Sequence, residues 1–169
     1  GLGNEEALGR FASPLQVMGG LCFVCLNRIA PGVVRHIAHG KVVVGEMSPR
    51  RDSELEMLAD LICGAGVPCQ ATGNLAQARW EKLVWNIPFN GLAVARGGLT
   101  TDRLLADPLI TAEVRPLMDE VAAAARHFGY DVSESFIQSQ IDVTPTMGAY
   151  APSSLVDFLA GRAVEVEAI

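Results

Sequence analysis

The sequence predicts a mixed α/β segment followed by an all-helical one, dividing the chain into residues 1–70 and 71–169. Three observations carry this reading. Short β-rich runs punctuated by Gly and Pro are concentrated before residue 46. From Leu75 onward β signals are sparse and apolar residues recur at helical spacing. The 169 residues are half apolar and 19% charged, which is ordinary for a globular protein and sufficient for a substantial core.

The opening Gly1-Leu2-Gly3-Asn4-Glu5-Glu6 reads as the middle of a longer sequence. Asn4 is placed to cap a short helix with Glu5 and Glu6 in its first turn. Gly1-Leu2-Gly3 is a weak match to a dinucleotide-binding fingerprint, because Glu6 stands where the third glycine belongs. Val17–Leu26 is apolar and β-compatible. Pro31-Gly32 breaks the chain, Val33–Ile37 forms a second run, His39-Gly40 is expected to turn, and Lys41–Gly45 supplies a third. These runs read as three strands on tight connections. Ser53 is expected to cap a helix carrying Leu55, Leu58, Ala59 and Ile62, ended by Gly64 or Gly66. Pro68–Thr72 is a short strand or an extended link.

In the helical half, Ala76–Ala95 forms one long helical region. Pro108–Phe128 carries Val114, Leu117, Met118, Val121, Ala125 and Phe128 at helical spacing, with Gly129 as the stop. That stripe serves either the core or a partner helix. Ser133 opens a further helix with Phe136, Ile137 and Ile141 on one side. Val143–Ser153 holds two prolines, a glycine and two threonines and reads as a loop. Asp157–Ile169 resumes a helical pattern.

A formal net charge of -6 argues against general binding to nucleic acid or to an anionic membrane surface. No apolar run is long enough to span a bilayer, and no leader pattern points to secretion, so a cytoplasmic setting is expected. Cys22-Phe-Val-Cys25 spells C-x-x-C, yet residues three apart on a strand point to opposite faces and cannot share a metal. With Cys63 and Cys69 lacking a second such spacing, four buried free thiols and no metal site are expected.

The most informative stretch is Trp80–Asn90. Lys82, Asn86 and Asn90 recur every four residues and form one slowly drifting row on a helix, flanked by Trp80, Leu83, Trp85, Ile87 and Phe89. The row is either a solvated stripe or a polar row facing a cavity. Surface stripes favour Glu, Lys and Gln, whereas Asn is a poor helix former whose amide competes for backbone groups. Pro88 removes the N–H that the Val84 carbonyl would take and should bend the helix before Asn90. Further on, Ser153 or Ser154 would serve as the N-cap of the helix beginning at Leu155, with Ser154 and Asp157 spaced like a capping box.

Trp80-Glu81-Lys82-Leu83 with Asn86 and Asn90 resembles the ketopantoate reductase pattern W-x-K-L-x-x-N-x-x-x-N. Ser153-Ser154-Leu155-Val156-Asp157 followed by Gly161-Arg162 and Glu165 is similar to that family's second signature. Pro31-Gly32-Val33, His36 and Gly45 match its strand-turn-strand region. The resemblance covers nearly the whole chain. It implies that residues 1–70 are the end of a Rossmann domain for NADPH and that residues 71–169 form a helical domain like that of 6-phosphogluconate dehydrogenases, with substrate bound between. On those motifs Lys82 is the catalytic lysine, Asn86, Asn90 and Ser153 hold substrate, and Glu165 lies near the nicotinamide-side ribose. The family's glycine-rich phosphate loop and NADP-selecting residue have no counterpart here.

The residue types suit reduction of a 2-oxo acid. Negative charge grows on the carbonyl oxygen as hydride reaches carbon, and an ammonium aimed there stabilises it and delivers a proton. Burial lowers a lysine pKa toward neutrality, while carboxamides orient a hydroxyl or carboxylate without adding charge. Two departures leave the substrate open between ketopantoate and another 2-oxo acid: Tyr150 stands where relatives often have asparagine, and Leu21-Cys22-Phe23 where they often carry hydroxyl residues. A second reading is a non-catalytic interaction module with Val114–Phe128 facing a partner. The isolated chain is expected to be inactive. It is also expected to expose strands Leu21–Leu26 and Val42–Gly45, a surface suited to a homodimer.

Overall fold

The computed structural model describes residues 3–13, 16–46 and 54–164. The chain forms two compact units, Gly1–Val24 with His39–Arg79, and Cys25–Ala38 with Trp80–Ile169.

The first unit holds a short helix α1 (Asn4–Leu8), the inner parts of strands β1 (Met18–Ala30) and β2 (Val33–Glu46), helix α2 (Glu54–Gly64), strand β3 (Cys69–Thr72) and the start of α3 (Leu75–Ala95). The sheet order is β1-β2-β3. β2 and β3 run parallel, with Val42 opposite Cys69 and Gly45 opposite Thr72, so α2 is the crossover helix of a β-α-β unit. Leu21, Val43, Leu75 and Ala78 form the core, with Phe23 packed against them. Glu5 and Arg79 pair as a mostly buried ion pair, both side chains 10% exposed. Gly19 packs closely beneath it: a Cβ there would lie 2.5 Å from Leu75 Cδ2 and against the Glu5 carboxylate, so those two side chains would have to shift.

Several expectations change in this unit. The α1 cap position is Gly3, left-handed at φ 88 and without a side-chain cap bond, so Asn4 lies inside the first turn and does not cap it. His39-Gly40 does not turn the chain. β2 runs through it as a single strand although His39 has φ 59 and Gly40 φ 152. Such a positive-φ residue kinks a strand as bulges do, without reversing it. The reversal falls at Pro31-Gly32, where glycine accommodates φ 74. Helix α2 closes with Gly66 N–H to the Cys63 carbonyl and Val67 N–H to the Ile62 carbonyl, which makes Gly66 its terminating glycine. The proposed cap Ser53 lies outside the described residues.

The four thiols are not all buried. Cys25 is buried, Cys69 half-buried, and Cys22 and Cys63 exposed. Alternation along β1 places Cys22 and Cys25 on opposite faces. Cys63 lies at the free edge of β3, its Sγ accepting from the Cys69 N–H at 3.2 Å. Among the described residues no group of three His, Cys, Asp or Glu side chains is arranged to hold a metal. The expected apolar exposure at Val42–Gly45 is absent, because Val43 and Val44 are buried. In the Leu21–Leu26 run Leu26 is exposed as expected, and further exposed apolar side chains lie at Ile29, Val33, Val34 and Ile37 on the outer part of the β1–β2 hairpin.

The second unit contains that hairpin arm, the rest of α3, and helices α4 (Thr101–Ala106), α5 (Pro108–His127), α6 (Glu134–Val143) and α7 (Ser153–Leu159), with a 3-10 turn at Thr144–Met147. Helix α4 was not anticipated. Asp107 caps α5 by accepting from Leu109 N–H at 2.9 Å, with Pro108 in the first turn. Gly129 (φ 87) ends α5, as predicted, and Ser133 caps α6 by accepting from Phe136 N–H at 3.2 Å. The α5 stripe Val114, Met118, Val121 and Ala125 is buried in this unit's own core with Leu83, Val84 and Phe89. Leu117 is half-buried, and Phe128, at the end of the stripe, is exposed and stacked on Trp80 at 5.7 Å. The helix expected over Asp157–Ile169 ends at Leu159 within the described residues, where Gly161 (φ 66) and the Arg162 N–H bond to the Asp157 carbonyl close it, and residues 165–169 of that expectation lie outside the described residues. Among the described residues no helix is long and apolar enough to cross a membrane.

Candidate functional site

The candidate residues within the described chain lie in the second unit, and α3 carries most of them. Each four-residue step on a helix advances the side chain by about 40°, so the Lys82–Asn86–Asn90 row drifts around the cylinder. Lys82 and Asn86 are half-buried, and Asn90 is only 5% exposed. The apolar side of this stretch is anchored by Trp85 and Phe89, stacked at 4.7 Å. Trp85 Nε1–H donates to Thr144 Oγ1 at 2.9 Å, and that hydroxyl donates to the Gln140 carbonyl at 2.6 Å. The helix is thereby fixed in rotation against the end of α6.

The two asparagines differ. Asn90 Nδ2 donates to the Asn86 carbonyl at 2.8 Å. Asn90 Oδ1 accepts from the Ser154 N–H at 2.9 Å and lies 3.5 Å from Ser153 Oγ. The Asn86 carboxamide has no hydrogen-bond partner among the described residues. Asn86 thus keeps donors and an acceptor available beside Lys82, whereas Asn90 joins α3 to the start of α7. The serine-cap expectation is corrected here: α7 begins after Pro152 with no side-chain cap of its own, and the Asn90 carboxamide reaches across to serve its first turn. Ser153 is exposed and Ser154 buried. Glu165 lies outside the described residues.

Two further residues hold the approach to Ser153. Thr101, fully buried, receives the Tyr150 N–H on its hydroxyl at 3.2 Å and donates that hydroxyl to the Gly148 carbonyl at 2.6 Å. Its own N–H donates to the Tyr150 carbonyl at 3.0 Å. Asn27, on the hairpin arm, donates Nδ2 to the Ala151 carbonyl at 3.2 Å. Neither residue sits in a local pattern that marks it, so sequence reading missed both. Tyr150 is buried with its ring 6.2 Å from Trp85, and burial, helped by the nearby Cys25 thiol, pushes its phenol up to about 12. Burial also raises the Cys25 thiol.

Lys82, Asn86 and Ser153 carry an ammonium, a carboxamide and a hydroxyl, residue types able to orient an anionic oxygen-rich molecule and supply a proton. Comparison with known proteins identifies the family. The profile described as "Ketopantoate reductase PanE/ApbA C terminal" matches residues 74–169, and "Ketopantoate reductase PanE/ApbA" matches residues 1–49. A 2-dehydropantoate 2-reductase from Nostoc sp. is 36% identical over all of this chain and 54% of its own length. The crystal structure of 2-dehydropantoate 2-reductase from Geobacter metallireducens GS-15 superposes with a TM-score of 0.90 at 40% identity, covering 98% of this chain and 55% of that one. A D-mandelate dehydrogenase solved with NADH and anilino(oxo)acetate shares the fold alone, with a TM-score of 0.86 at 19% identity over 97% of this chain and 54% of that one. The chain spans about half the length of the curated relatives it matches.

Proposed function

Because the chain belongs to the ketopantoate reductase PanE/ApbA family, we propose that, within a protein of its relatives' full length, it serves the NADPH-dependent reduction of ketopantoate to pantoate. The observation that carries the reading is the α3 row, in which Lys82 stands one step from an Asn86 carboxamide that has no hydrogen-bond partner among the described residues.

Glu165, which the family motif puts near the nicotinamide-side ribose, lies outside the described residues. Bound by the complete protein, NADPH would supply the hydride for the substrate's C2. The Lys82 ammonium faces the oxygen on which charge grows, and its proton passes to that oxygen to give the hydroxyl, leaving a neutral amine that regains a proton from solvent. Asn86 and the Ser153 hydroxyl hold the carboxylate and hydroxyl ends of the substrate. Keeping Lys82 and Asn86 one helical step apart fixes their spacing, which contributes through positioning.

Turnover of NADPH with ketopantoate by the full-length protein tests this reading beside Lys82→Ala. A loss of roughly 10²–10⁴-fold with the fold intact is expected for removal of a general acid. Near-normal turnover in the variant would remove Lys82 from the chemistry. The 169-residue chain alone is expected to show no turnover, and measurable NADPH oxidation by it would contradict that part. Reduction of another 2-oxo acid is the second reading. It is motivated by Tyr150 standing where the family often has asparagine, and a panel of 2-oxo acids compared by kcat/KM decides between the two.

A further inference from the structure

The segment 148–152 is irregular, yet its backbone is held from three separate elements. Thr101, at the start of α4, satisfies the Gly148 carbonyl and both backbone groups of Tyr150. Asn27, on the hairpin arm, takes the Ala151 carbonyl. Asn90, on α3, takes the Ser154 N–H. Irregular backbone that is partly buried requires such partners. Thr101 is fully buried, while Asn27 is only half-buried and lies 124 residues away in sequence from the carbonyl it holds.

We propose that Asn27 and Thr101 are positioning residues that set where Ser153 stands relative to Asn86 and Lys82, and thereby tune binding of the 2-oxo acid. This rests on the reductase reading given above. Both residues act through the 148–152 backbone. The bonds they make bracket the two residues before Pro152, whose φ the ring already fixes, so little freedom remains between the clamp and Ser153. Loss of a clamp lets Ser153 wander by a fraction of an ångström or more, which weakens its hold on substrate before and during reaction alike. That signature is a raised KM with kcat nearly kept.

The test uses the full-length protein with NADPH and ketopantoate, comparing Asn27→Ala, Thr101→Val and Thr101→Ser. Asn27→Ala and Thr101→Val are expected to raise KM for ketopantoate about tenfold, with kcat changed less than about threefold and KM for NADPH unmoved. Thr101→Ser, which keeps the hydroxyl, is expected to restore most of the KM. Unchanged ketopantoate KM in both Asn27→Ala and Thr101→Val would overturn the proposal, as would equal rises for both substrates. Amide hydrogen exchange provides a readout independent of turnover: exchange at Tyr150 and Ser154 should rise in both clamp variants while α5 stays protected. If wild type turns over no 2-oxo acid, the reductase reading has failed, and exchange alone then decides the clamp, which is rejected if those two amides are unaffected.

Discussion

Asn90 on α3 accepts the backbone N–H of Ser154 at 2.9 Å, so the first turn of α7 is capped by a side chain 64 residues earlier in the chain. The same carboxamide donates to the Asn86 carbonyl, leaving Asn90 engaged at both ends inside a buried site. Removing it strands a buried N–H at the start of α7. Asn90→Ala is expected to lower stability by about 1–3 kcal/mol, the cost of an unsatisfied buried group together with a lost cap. Urea unfolding of the 169-residue chain measures it. A change below about 0.5 kcal/mol would mean that water answers the Ser154 N–H.

Trp85 and Thr144 form a second long-range bond between α3 and the end of α6, with the indole N–H donating to a fully buried hydroxyl. Thr144→Val keeps the shape and removes the acceptor, and should destabilise by roughly 1–3 kcal/mol. Thr144→Ser keeps the acceptor and should lose less. If the two variants unfold at the same urea concentration, the bond contributes nothing beyond packing.

Tyr150 makes stability depend on pH at the alkaline end. Its folded pKa is raised to about 12 by burial, with a smaller contribution from Cys25, above an ordinary value near 10. The unfolded chain therefore gives up this proton first. Stability from the neutral phenol is complete below about pH 10 and is lost as pH rises toward 12. Wild type minus Tyr150→Phe, followed by urea midpoint between pH 9 and 12, should reveal that decline. A flat difference would show that the phenol titrates equally in both states.

The cysteines should separate by reactivity. Cys22 and Cys63 are exposed, whereas Cys25 is buried with its thiol pKa raised, which keeps it as the less reactive thiol form. Brief treatment of the folded chain with a thiol-reactive aromatic disulfide near pH 8 should modify Cys22 and Cys63, and Cys25 only after unfolding. Mapping by peptide mass reads the order, and early labelling of Cys25 would contradict its burial.

Much of the architecture was legible in the residues because its causes are local. Gly129 and Ser133 ended and started helices through bonds within one turn, and the period of Val114, Met118, Val121 and Ala125 announced a buried stripe. Helix α4 escaped notice because six residues span too little of the period to be read, although Thr100 and Asp102 were cap-like signals at its start. The candidate site was visible only in part. Lys82 and Asn86 declared themselves by spacing and by resemblance to a family motif, yet nothing in the sequence distinguished an engaged Asn90 from an available Asn86.

By itself the sequence determined the helix and strand periods, most of their ends, and the row of Lys82, Asn86 and Asn90 on one helix, since each follows from bonds and spacings within a few residues. The tertiary structure alone decided which group caps α7, that β2 passes through His39 and Gly40, which thiols are shielded, and that Asn27 and Thr101 hold the backbone leading to Ser153. Those outcomes depend on partners distant in sequence, whose hydrogen bonds and burial exist only once the chain has packed.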